Sequence, residues 1–301
     1  QRHAKKPPSL LHRLTRRYGL PSWSGSEPNL LGTKMNKLKR AVLALAMSFT
    51  ALPSMANDHS VIAMENIEWG LLNPLRGDAS PRAADLWGDR TKDMATGMLV
   101  KFKKGFSSPP HIHNITYRGV VIEGLMHNDD PMAEKMWLPS GSFWTQPVGE
   151  SHITAADGQD NLIYLEINSG PYLVLSAEKA FDNGERPINV NERNLIWLDA
   201  KDVKWFDNSK VQIAYLWGKP HSANGSFIKL PAGFKGTIQN TDGLKAVVVR
   251  GAATHQWANE KTKTELLPSS FFSSKAKGVH KINVETETVL YINSNGRCRV
   301  E

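Results

Sequence analysis

From about residue 57 onward, the apolar positions fall in short runs instead of helical stripes. Val120-Val-Ile122, Leu162-Ile-Tyr-Leu165, Val247-Val-Val249 and Val289-Leu-Tyr-Ile292 are β-branched and aromatic clusters separated by Gly, Pro, Asn and Asp. Sustained recurrence at three and four residues, which an amphipathic helix requires, is nearly absent. Short runs punctuated by turn residues predict an all-β chain of antiparallel strands closed into a sandwich or barrel.

The pattern occurs twice. Leu86-Trp-Gly88 returns as Leu216-Trp-Gly218, Lys104-Gly-Phe106 is echoed by Gly233-Phe-Lys235, and Val120-Val-Ile-Glu-Gly124 by Val247-Val-Val-Arg-Gly251. Leu138-Pro-Ser-Gly-Ser-Phe-Trp144 matches Leu267-Pro-Ser-Ser-Phe-Phe272, and Leu162 to Gly170 matches Val289 to Gly296. An offset near 130 residues across five blocks indicates two copies of one unit. The expected division is 57–180, a linker over 181–194 long enough to hold a strand exchanged between the halves, and 195–301. Asp199 to Trp205 is the predicted opening strand of the second copy.

Candidate chemistry is concentrated in the first copy. In Gly105-Phe-Ser-Ser-Pro-Pro-His-Ile-His113, two histidines two residues apart on an extended segment point to one face. The turn-rich stretch Gly141-Ser-Phe-Trp-Thr-Gln-Pro-Val-Gly-Glu-Ser-His152 delivers a third. Three neutral imidazoles can hold one transition ion and leave positions open for water or substrate.

These stretches resemble the two motifs of the cupins. Gly105, His111, His113 and Gly124 stand at the spacings of the first motif, and Gly141, Pro147, Gly149 and His152 at those of the second. The motif's glutamate ligand is replaced by Tyr117, with Arg118 beside it, and its closing asparagine by Ala156. The resemblance implies two tandem jelly-roll barrels and one divalent transition ion (Fe, Mn or Zn) on His111, His113 and His152. Tyr117, of the same strand parity as those histidines, is the candidate catalytic residue. The layout also resembles the ChrR-like cupins and exported two-domain cupins of unknown function.

Aligned with the first copy, the second places Gln239 and Thr241 at the positions of His111 and His113, and Lys281 at that of His152. A lysine ammonium repels a divalent cation, so the second copy is expected to shape the fold or the substrate space. His280, one residue off, should point away, and His127 and His255 read as hairpin-turn residues. Arg118 has the parity of a solvated residue, Trp137, Trp144 and Tyr164 are pocket or core aromatics, Glu166 is the nearest intact carboxylate, and His59 belongs to a loose terminus.

Composition alters the picture only through the N-terminal segment. Residues 1–34, rich in Arg, Lys, Pro and Ser, read as a disordered or misassigned extension. Residues 35–56 read as a signal peptide: basic Met35-Asn-Lys-Leu-Lys-Arg40, an apolar stretch to Pro53, and Ser54-Met-Ala56 at the cleavage point. That apolar stretch is short of the roughly 20 residues that span a bilayer. Residues 1–56 hold ten of the 37 Lys and Arg but one of the 29 Asp and Glu, so the remainder is near neutral at about −1. The high pI therefore gives no argument for nucleic acid. Cys298 is the single cysteine, so no intrachain disulfide forms.

No phosphate loop, nucleophile elbow or zinc-protease helix occurs in the chain. The expectation is a periplasmic or secreted protein with a small-molecule ligand, no nucleic acid, no membrane after cleavage, and a homodimer left open. A metalloenzyme, dioxygenase-like or isomerase, competes with a non-catalytic binding or sensing module.

Overall fold

The computed structural model describes residues 58–208 and 210–301; the expected extension and leader lie outside the described residues. The described residues form a single unit, almost entirely antiparallel β, as the short apolar runs require. Two large sheets lie at its centre. In the N-terminal half the order is Ile188–Val190, Phe143–Gln146, Tyr117–Glu123, Asp160–Ile167, Thr96–Lys103, Arg82–Trp87 and Gly70–Leu71. In the C-terminal half it is His59–Ile62, Phe271–Ser274, Leu244–Arg250, Thr288–Ser294, Asn224–Leu230 and Gln212–Gly218.

The first six strands of the two orders match, with one exchange; at the position of Gly70–Leu71 the C-terminal half has only the bridge Leu198 to Ile213. His59–Ile62, from the start of the first copy, pairs with Phe271–Ser274 of the second, and Ile188–Val190, within the expected linker, pairs with Phe143–Gln146 of the first. The halves are therefore interlocked, and cuts at 180 and 195 separate these strands from their sheets. His59 is a strand residue and not a loose terminus; its Nε2 lies 2.9 Å from Glu260 Oε1 and its ring stacks on Trp257. Asp199–Trp205 is a turn instead of the expected strand: the Asp199 carboxylate accepts from Lys201 N at 2.7 Å, a local bond that competes with extended pairing.

Three cores separate four layers. One, with Met98, Val121, Met126, Leu138 and Leu165, lies between the large N-terminal sheet and the smaller strands facing it; its counterpart, with Ile228, Val248, Phe272 and Ile282, fills the C-terminal half. The third, with Leu99, Val120, Phe143, Phe227, Val247 and Tyr291, joins the two large sheets back to back.

That back-to-back contact explains a corrected expectation. Arg118 faces outward from its own sheet but meets the other half instead of solvent: Nε donates to Glu166 Oε1 at 2.9 Å, and the guanidinium lies 4.0 Å from the Trp217 ring centroid. Glu166, 1% exposed, also accepts from Tyr164 Oη at 3.1 Å, Tyr291 Oη at 2.7 Å and Asn293 Nδ2 at 3.1 Å. A buried carboxylate needs such a full set of donors. Glu166 thus belongs to the joint between halves and not to the histidine site, and Tyr164 sits there with it.

Candidate metal centre

Backbone pairing brings the three histidines together. His111 and His152 form a bridge in which each N–H donates to the other's carbonyl, at 3.1 and 3.0 Å. Gly149, in the left-handed region at φ 77°, turns the chain so that its N–H donates to His113 O at 3.0 Å, which ties the second motif to the first. Val174–Ser176 pairs along the outer edge of His111–His113.

The side chains converge. One ring nitrogen from each of His111, His113 and His152 lies within 4.8 Å of the others, and all three residues are buried. The opposite nitrogens are held by main-chain carbonyls: His111 Nδ1 by Pro109 O at 2.9 Å, His113 Nδ1 by Leu173 O at 2.8 Å, and His152 Nδ1 by Glu150 O at 3.1 Å. A carbonyl only accepts, so each Nδ1 carries the proton and each Nε2 presents a lone pair. Burial lowers all three pKa values, His152 to about 3, so the imidazoles are neutral and ligand-competent at pH 7. Three neutral nitrogen donors with fixed tautomers fit a divalent transition ion. Among the described residues, no carboxylate joins the group.

Two phenols flank the trio. Tyr117 Oη lies 3.4 Å from His152 Nε2, and Tyr172 Oη lies 3.3 Å from His113 Nε2 with its ring stacked on His113 at 4.5 Å. Burial pushes both hydroxyls up, so both keep their protons at neutral pH. Tyr117 donates to Asn128 Oδ1 at 2.8 Å; Asn128 Nδ2 donates to Gln146 Oε1 at 2.8 Å, and Gln146 Nε2 to Glu150 O at 3.3 Å, the carbonyl that also fixes His152. Sequence reasoning missed Asn128 and Gln146, although strand parity with Met126 and Trp144 was available to find them. It also missed Tyr172, which lies on an irregular segment where parity carries no information.

Beside the trio is a largely apolar cavity of about 250 Å³, walled by Val100, Phe102, Phe106, Trp144, Ile163 and Leu165 and reaching His111 and Tyr117. Trp144 lies flat across the neighbouring strand because residue 119 is glycine: a Cβ there would meet the indole at 2.2 Å. Of the other expected aromatics, Trp137 lies beside His127, 6.2 Å between rings.

The remaining histidines depart from the expectation. His127 and His255 are buried strand residues, not turn residues. His280, 0% exposed, does not point away: its Nδ1 meets His255 Nε2 at 2.9 Å and its Nε2 meets Ser274 Oγ at 3.2 Å. Lys281 is exposed and pairs with Thr237. His111 pairs with His152, whereas the equivalent Gln239 pairs with Val279, so Val279 takes the His152 position. The turn before it shows where the sequence alignment slips. The bond Ser142 N to Pro139 O is matched by Ser270 N to Leu267 O, so Pro139 corresponds to Leu267 and not to Pro268.

The fold is that of the cupins, with three buried imidazoles converging beside a cavity. The chain belongs to the family described as a domain of unknown function (DUF4437), which matches residues 60–301. No curated protein matches it. Among solved structures it resembles a salicylate 1,2-dioxygenase from Pseudaminobacter salicylatoxidans, 13% identical over 85% of this chain and 91% of that one, TM-score 0.54. Similar too are the E. coli protein YlbA of DUF861, 13% identical over 83% and 96%, TM-score 0.56, and an oxalate decarboxylase from Lactobacillus farciminis, 9% identical over 80% and 87%, TM-score 0.52. At these identities the likeness establishes the fold.

Proposed function

We propose that this protein is an exported, metal-dependent enzyme of the dioxygenase type acting on a small organic molecule. The observation that carries the reading is the set of three Nε2 lone pairs, each fixed by a main-chain carbonyl, beside a largely apolar cavity. A divalent ion held there, Fe(II) foremost with Mn or Zn as the other fitting ions, would supply open positions for dioxygen or substrate oxygen. The protein's own part is to exclude water through Phe102, Phe106 and Trp144, and to keep a proton on Tyr117 that Asn128 orients. Three neutral imidazoles leave the ion its full charge, which favours an anionic, chelating substrate.

Isomerisation needs a group that takes up a proton. The cavity wall offers hydroxyls and protonated phenols but no carboxylate, which favours chemistry centred on the ion. The same lack of a base supports a second reading, a non-catalytic binding or sensing module. Export rests on the segment Met35 to Ala56. It is tested by mass spectrometry of periplasmic protein: Asn57 at the N-terminus supports it, and retained Met35 or cytoplasmic accumulation refutes it.

The enzymatic reading is tested by metal analysis of anaerobically purified protein, then addition of β-diketones, 2-oxo acids and catechols to the Fe(II)-loaded form while oxygen is followed. An oxygenase consumes oxygen in step with substrate. A binding module changes its spectrum without turnover, and that outcome would replace the enzymatic reading.

A further inference from the structure

The wall of the cavity carries one permanent charge. Arg76, on the short helical segment Pro74–Ala79 between two strands of the large sheet, lines the cavity with Asn73, while most of the remaining lining is carbon. Arg76 is exposed at the rim, and among the described residues no carboxylate pairs with it, whereas Arg82 and Arg90 nearby are paired with Asp78 and Asp85. The segment is held in place locally: the Asn73 side chain accepts from Leu75 N at 3.0 Å, and Asn73 N donates to Ser80 Oγ at 2.9 Å.

A second polar feature belongs to the same wall. The hydroxyls of Ser108, Tyr117 and Thr154 line it, and the buried Trp144 indole N–H lies beside the Tyr117 hydroxyl. A guanidinium at the rim with no carboxylate partner, and hydroxyls along the wall, together ask for an anion that carries a further oxygen. The volume of about 250 Å³ exceeds the roughly 150 Å³ cavity that admits benzene. A ring or short chain with substituents fits.

We propose that the cavity takes a small carboxylate bearing a hydroxyl or keto oxygen, its apolar body against Phe102, Phe106 and Trp144 and its carboxylate on the Arg76 guanidinium. Arg76 is then the residue that selects acids over neutral molecules of the same shape. A planar fork that grips both carboxylate oxygens is a task for arginine, and lysine reproduces only its charge. This deepens the reading of the cavity as the substrate site, and its test is separate from the metal chemistry because it measures binding alone.

Calorimetry on the full protein, metal-loaded and metal-free, with benzoate against benzamide and hexanoate against hexanamide, decides it. The acids should bind about tenfold or more tightly than the amides, as a charge-assisted contact requires. The metal-free protein should keep this preference, and added salt should weaken it. Arg76→Gln should abolish the preference and Arg76→Lys should keep part of it, both with unchanged metal content. Equal binding of acid and amide, a preference that survives Arg76→Gln, or no binding of any acid in the panel overturns the proposal. A preference present only with metal bound also overturns it, since the ion and not Arg76 would then be the anion anchor. Wild-type protein that holds no ion after anaerobic purification, with the acid preference intact, would strike the oxygenase reading and leave this one standing.

Discussion

The two halves share a scaffold and differ in what they aim inward. On the strand facing the metal site the N-terminal half carries Tyr117, paired with Gln146; the same register in the C-terminal half pairs Leu244 with Ser274. His111 and His152 become Gln239 and Val279. On the opposite face of the large sheets the halves remain alike: Trp87 Nε1 donates to Tyr164 Oη and Trp217 Nε1 to Tyr291 Oη, both at 2.9 Å, and both phenols reach Glu166. The interior faces differ at the histidine trio, while the shared face retains its pattern because each half covers the other there. The C-terminal interior is sealed by its own apolar core and a histidine pair.

Metal content gives the largest contrast. One ion per chain is expected; His111→Ala or His152→Ala should remove nearly all of it, because each supplies one of three protein donors. His280→Ala should leave it unchanged. Mass-spectrometric metal analysis of the purified variants decides this, and two ions per chain would erase the distinction between the halves.

Next is the joint between the halves. Arg118→Ala leaves the Glu166 carboxylate buried without its cationic partner, and breaking a buried pair in this way costs about 3–5 kcal/mol. Chemical denaturation should show that loss. A loss below about 1 kcal/mol would mean that the three neutral donors satisfy Glu166 without the arginine.

A pH titration of stability examines the C-terminal interior. Burial lowers His255 to about 4 and His280 to about 3. An unfolded imidazole titrates near 6.5, so between about pH 6.5 and 4 the unfolded chain binds more protons than the folded one. The stability contribution is fully present above pH 6.5 and declines as the pH falls, by at most about 3 kcal/mol for a group shifted to about 4. The double variant His255→Leu with His280→Leu should flatten that decline in metal-free protein. An unchanged acid slope would assign it to the other buried imidazoles, those of His111, His113, His127 and His152.

Strand content, the repeat and the histidine spacing were legible in the chain because they depend on local alternation and turn residues. Contacts between the halves were not. Arg118 has the parity of a solvent-facing residue, and only the second large sheet behind it makes that face interior. The length of the linker leaves room for an exchanged strand, but the pairing of Ile188–Val190 and His59–Ile62 depends on which sheet edge each reaches, which no local pattern encodes. The Lys281 assignment failed through register: the shared Leu-Pro-Ser letters pull the alignment one way and the hydrogen bonds of the turn another. At Ser269, φ 79°, a serine takes the left-handed position that Gly141 holds in the first copy, so the glycine marking the turn is missing from the letters.

The smallest effect concerns Tyr117, and it separates a ligand from a proton donor. Tyr117→Phe makes the position resemble Leu244, its counterpart in the other half. Its hydroxyl bond to Asn128 is lost, but Asn128 Oδ1 still accepts from Thr154 Oγ1 at 2.8 Å, so a stability change near 1 kcal/mol is expected. Metal content should hold at one per chain, because burial keeps the phenol protonated and its O–H is donated to Asn128 Oδ1, whereas a ligating oxygen would need that proton removed. If the phenol supplies a proton to bound substrate, oxygen uptake should fall by about 100-fold or more, the usual size of such a contribution, with the KM little changed. Metal loss in the variant would make Tyr117 a fourth ligand. Unchanged metal with unchanged turnover would leave it a packing residue, alike in role to Leu244.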